Sequence, residues 1–142
     1  MGPLMRRLIR ADELGWPVAP ARTWPLPADV GAPGTARDLL AWHCRRRPSG
    51  VDDDMLATAL LLVSELVTNA LRHGAPPLSL RIDGTRRLYV GVSDEGAALP
   101  RLGLRDDVWA ETGRGLLLVD ALAADWGCEE KPRRGKTVWF EL

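Results

Sequence analysis

The chain has 142 residues, 46% of them hydrophobic and 27% charged, a length and composition suited to one domain with a real core. Nineteen basic residues balance nineteen acidic ones, so no global field favours nucleic acid or an anionic membrane. The only two cysteines, Cys44 and Cys128, lack metal-ligand spacing and read as buried reduced thiols. No apolar stretch is expected to span a membrane, and Asp12 and Glu13 interrupt any signal-peptide core, so a cytoplasmic protein is expected.

Residues 1–21, with Gly2, Pro3, Pro17 and Pro20, read as an N-terminal tail, and 22–142 as a single domain. Arg22–Leu26 is expected as an edge strand, the one place where Pro25 would be tolerated. A helix follows over Pro33–Arg46 and stops at Pro48-Ser49-Gly50. Asp52, Asp53 and Asp54 supply the cap and first turn of a second helix, which ends at Gly74. Leu78–Ile82 and Leu88–Ser93 form a hairpin around Asp83-Gly84. A polar stretch over 97–112 leads to a helix from Gly115 to Ala123. Strands Asp125–Glu129 and Thr137–Leu142 then flank a turn at Pro132–Gly135. The sum is an α/β two-layer sandwich, a mostly antiparallel sheet with helices on one face. Trp42, Trp126 and Trp139 read as core or sheet-face residues, and Trp16 and Trp24 as partner contacts.

The second helix holds the densest chemistry. At about 100° per residue, Glu65, Asn69 and His73 follow one another along one face, in the angular sector of Leu62 and Leu66. Ser64, Thr68 and Arg72 take the solvent side. An amide among leucines costs about 1–3 kcal/mol unless something pairs with it, and a carboxylate one turn earlier invites a cation or a polarised water. Further on, the alternating run Leu88, Val90, Val92 ends on Asp94, and Gly96 lets the backbone turn. A strand-end carboxylate beside a pocket can accept from an exocyclic amine. Gly113-Arg114-Gly115 opens an apolar helix, where glycine-bared amides suit phosphate.

In this order, Glu65-Leu66-Val67-Thr68-Asn69-Ala70 with His73-Gly74, Asp94-x-Gly96 with Pro100, and Gly113-Arg114-Gly115-Leu116 resemble the Bergerat-fold ATP-binding domain. That domain is shared by gyrase, a heat-shock chaperone, sensor histidine kinases and mismatch-repair ATPases. The resemblance covers roughly residues 22–142 and is closest to the small branch of anti-sigma-factor serine kinases and related actinobacterial regulators. The closing Trp126-Gly127 and Gly135-Lys136-Thr137-Val138-Trp139-Phe140 also look like that branch. The larger members' second glycine is replaced by Ala98 here, and the stretch from Ala97 to Thr112 is short for a lid.

The resemblance implies roles. Asn69 would coordinate Mg2+, and Glu65 would be the general base. Asp94 would anchor adenine through its 6-amino group and reject the 6-oxo group of guanine. Gly96 would let the base approach, and Thr137 would complete adenine recognition. Gly113, Arg114 and Gly115 would serve the phosphates. His73 is read as a core-bonded helix-end histidine rather than a ligand. ATP and Mg2+ are the expected cofactors. The expected partners are a sigma factor and an anti-sigma-factor antagonist protein, with no direct nucleic acid and no membrane.

Two functions follow: an anti-sigma factor with serine/threonine kinase activity toward the antagonist, or a non-catalytic ATP-binding module acting by contact. Keeping both Glu65 and Asn69 favours the kinase. A histidine-kinase role is disfavoured, because no helix with a phospho-acceptor histidine precedes this domain and only His43 and His73 exist. The tail and first helix are expected to carry contact with a partner or with a second copy, as in a homodimer.

Overall fold

A computed structural model of the protein describes residues 21–45, 51–84, 87–97 and 110–142. The described elements run β1 (Arg22–Leu26), α1 (Ala32–Arg45), α2 (Asp53–His73), β2 (Leu78–Asp83), β3 (Tyr89–Asp94), α3 (Ala110–Leu122), β4 (Asp125–Glu130) and β5 (Lys136–Glu141). The tail expected over 1–21, with Trp16, and most of the polar stretch over 97–112 lie outside the described residues.

Local chemistry explains the helix starts. Asp29 accepts from the amide of Gly31 at 2.8 Å just before α1, and Asp52 caps α2 by accepting from Met55 N at 2.7 Å. Asp53 and Asp54 fill the first turn of α2, with Arg72 in the last, matching the helix dipole at both ends. α3 begins at Ala110, five residues before the expected start at Gly115. The pair Gly113 and Gly115 therefore does not open the helix.

The strands form one sheet in the order β1-β2-β3-β5-β4. All four pairings are antiparallel, where a mostly antiparallel sheet was expected. Pairing of β2 with β3 ends at Asp83 opposite Tyr89, so the connection is longer than a two-residue Asp-Gly turn. The period-2 alternation of strands sends Leu80, Ile82, Val90, Val92, Trp126, Cys128, Val138 and Phe140 to one face. There they share a core with Leu40, Leu62, Leu66, Val67, Leu116 and Val119 of the three helices. Cys44 and Cys128 are both buried reduced thiols, as expected.

By length and composition α2 could cross a membrane, which corrects the expectation that no stretch could. In this fold its apolar residues Leu62, Val63, Leu66 and Val67 are instead the middle of the core. Trp126 donates its indole N–H to Asp120 at 2.9 Å, tying β4 to α3. Trp42 is 39% exposed, with the guanidinium of Arg22 over its ring, and so is not a core residue. Trp24 is half-buried and meets His43 edge to face at 6.0 Å, so its ring is already engaged inside the chain.

The opposite face of the sheet carries Tyr89 stacked on Trp139 at 5.8 Å. On that face Glu141 is paired across the ladder with Asp125. Burial first, and then the neighbouring Asp125 carboxylate, push the Glu141 carboxyl above its usual range. Because the folded-state value is the higher one, the folded chain holds this proton more tightly than the unfolded chain does. Stability from this group is therefore present at low pH and lost as pH rises through the raised value. Glu141→Gln is expected to flatten that limb and to raise stability at neutral pH by up to about 1 kcal/mol. Urea melts of both proteins between about pH 4 and pH 8 read this directly. A variant less stable than wild type at neutral pH would overturn it.

Candidate functional site

The C-terminal end of α2 meets the C-terminal end of β3, and α3 meets α2 further back, at Glu65. Glu65 and Asn69 lie one helical turn apart on α2, half-buried at the margin of the core that Leu62 and Leu66 fill. The solvent side assigned to Ser64, Thr68 and Arg72 holds fully only for Arg72. Ser64 is half-buried, accepts from Arg37 at 2.9 Å and donates to Leu60 O at 2.8 Å.

The side-chain oxygen of Asn69 is buried and makes no hydrogen bond among the described residues. Leaving such an acceptor unmade costs about 1–3 kcal/mol, which a cation or an ordered water would recover. No group of three or more His, Cys, Asp or Glu able to hold a metal occurs among the described residues. Mg2+ fits this setting, since it accepts one amide oxygen and completes its shell from waters and phosphates.

Gly115 stands directly against Glu65. A Cβ built at this position would lie 2.6 Å from Glu65 Oε2, the far end of a flexible side chain, so a larger residue here would push the carboxylate aside. Since α3 starts at Ala110, Gly115 falls in its second turn, where backbone N–H groups already have helical partners. The expectation that Gly115 bares its amide at a helix start is corrected accordingly, while Gly113 falls in the first turn. What Gly115 supplies is room for Glu65. Arg114, beside it, is exposed.

Asp94 ends β3 and is 1% exposed. Its Oδ1 accepts from Gly96 N at 2.6 Å and from Ala75 N at 3.3 Å. Gly74, at the end of α2, touches the carboxyl group so closely that a Cβ there would overlap Asp94 Cγ. The His73-Gly74 step therefore docks the helix end onto the strand end. Burial, then Arg72, then Lys136 hold the imidazole of His73 below its usual value, so it is kept neutral near pH 7.

Sequence reasoning missed Lys136. Its ammonium, 5% exposed in the side chain, sits 3.1 Å from each oxygen of Asp94. Asp94 and Lys136 are partners across the β3–β5 ladder and share a face. Thr137 is one residue on and so lies on the other face, opposite Ser93, with the two hydroxyls 2.6 Å apart. The expected adenine role of Thr137 is corrected by this alternation: the structure brings Lys136, not Thr137, to Asp94. Glu65, Asn69 and Gly115 form one cluster, and Asp94, Gly96, Gly74 and Lys136 form a second one at the end of the same helix.

The fold is that of an α/β domain with a five-stranded antiparallel sheet and helices on one face. Residues 26–142 match the family described as histidine kinase-like ATPase domain, and the chain belongs to that family. Membership implies ATP binding and supports the expected Bergerat-type fold. No curated protein matches the chain.

Proposed function

We propose that the protein is a cytoplasmic ATP-dependent regulator, an anti-sigma factor that phosphorylates a serine or threonine of its antagonist. The observation that carries this reading is the orphaned, buried oxygen of Asn69 one turn from the Glu65 carboxylate. A domain that merely held a partner would have no use for an unsatisfied amide there.

Asn69 would hold Mg2+, which when bound offsets charge on the transferring phosphoryl group. Glu65 would take the proton of the attacking hydroxyl as its oxygen bonds to the γ-phosphorus. The bond from that phosphorus to the bridging oxygen breaks, and ADP leaves with that electron pair. Asp94, held by the amides of Gly96 and Ala75, would receive the 6-amino group of the base. Exposed Arg114 on α3 offers a cation for the phosphates. The sigma factor and the antagonist are the proposed partners.

Titrating ATP into the protein with and without Mg2+, followed by tryptophan fluorescence, is expected to show saturable binding that tightens with the metal. The companion assay transfers label from ATP to candidate antagonists. Label transfer supports the kinase. ATP binding and sigma-factor capture without any transfer would instead establish a non-catalytic binding module.

A further inference from the structure

Lys136 and Asp94 leave two hydrogen-bonding groups unused side by side. An ammonium has three N–H donors, of which one bonds Asp94 Oδ1 while Oδ2 stands at ion-pair distance. A further donor has no partner among the described residues. On Asp94, Oδ1 already accepts from Gly96, Ala75 and Lys136, whereas among the described residues Oδ2 is met by Lys136 alone. A donor and an acceptor therefore stand 3.1 Å apart. A buried ion pair kept only for stability is often no better than apolar packing, and it gains nothing from an idle donor.

We propose that Lys136 reads the nucleobase together with Asp94, and that the pair accepts 6-oxo purines as well as adenine. This rests on the nucleotide-binding reading of the site. Adenine presents an amino donor next to a ring-nitrogen acceptor, which match Asp94 and Lys136 in turn. Hypoxanthine presents a 6-oxo acceptor next to a ring N–H donor, which match Lys136 and Asp94. A lone carboxylate would repel the 6-oxo group, but the ammonium on Asp94 removes that repulsion. The expected exclusion of guanine-type bases by Asp94 is thereby replaced with tolerance.

The test compares ATP and ITP, each with Mg2+, by equilibrium titration against wild type, Lys136→Met and Lys136→Gln. Wild type is expected to bind ITP within about tenfold of ATP. Lys136→Met should raise the ratio of ITP to ATP dissociation constants by about tenfold or more, because the 6-oxo group then faces the carboxylate alone. Lys136→Gln keeps an N–H donor and should restore part of the difference. A purely structural lysine would weaken both nucleotides by the same factor, and that result overturns the proposal. So does wild type that binds ATP but holds ITP more than about a hundredfold weaker, a comparison that needs no variant to fold. Wild type that binds neither nucleotide would overturn the nucleotide reading itself, and this one with it.

Discussion

Glu65→Gln is expected to lower phosphoryl transfer to a serine or threonine acceptor by about 10²–10⁴ while ATP remains bound. The amide keeps the size and polarity of the carboxylate but cannot take a proton. The geometry favours a clean separation, because Gly115 approaches the Glu65 carboxylate without contributing a side chain of its own. Asn69→Ala is the contrasting variant. It removes the orphaned oxygen, so the Mg2+-dependent part of binding should be lost together with turnover. Dissociation constants measured with and without Mg2+, set beside initial rates of label transfer, separate the two. If Glu65→Gln transferred phosphate at the wild-type rate, the proton would go elsewhere and the general-base assignment would fall.

Asp94→Ala should produce the largest loss of stability in this site. It strands the Lys136 ammonium, 5% exposed in its side chain, without its counter-charge, and removing one partner of a buried pair typically costs about 3–5 kcal/mol. The amides of Gly96 and Ala75 lose their acceptor in the same step. The double variant Asp94→Ala/Lys136→Met takes away the stranded charge and is expected to regain much of that loss, a coupling that a double-mutant cycle in urea measures. Nucleotide affinity should not return with it, since neither reading group remains. If Asp94→Ala unfolded at the wild-type urea midpoint, the buried ion pair would have no hold on the fold.

The helix and strand pattern was legible because it rests on local signals: aspartates before α2, glycine and proline at the breaks, alternation in β2 and β3. Glu65, Asn69 and Asp94 were legible as chemistry because a polar group on an apolar face is visible in one dimension. The fold-level meaning of the glycines was not. Gly115 matters through Glu65 and Gly74 through Asp94, and both contacts depend on packing between elements distant in sequence. Lys136 was within reach: Val138 and Phe140 point to the core, and strand period places Lys136 with them and Thr137 on the other side. The motif resemblance favoured the threonine, and the alternation overrules it.

Asp94 and Lys136 are 42 positions apart, and β5 enters the sheet between β3 and β4 rather than at an edge. Bringing two such points together in a flexible chain costs roughly 3 kcal/mol of closure entropy before any contact rewards it. The base-reading pair therefore forms only when the middle of the sheet closes, after the locally encoded helices and the β2–β3 hairpin can already exist. A purine nucleotide held by this pair, as proposed, would therefore bind finished chains in preference to unfinished ones and draw the population toward the completed sheet.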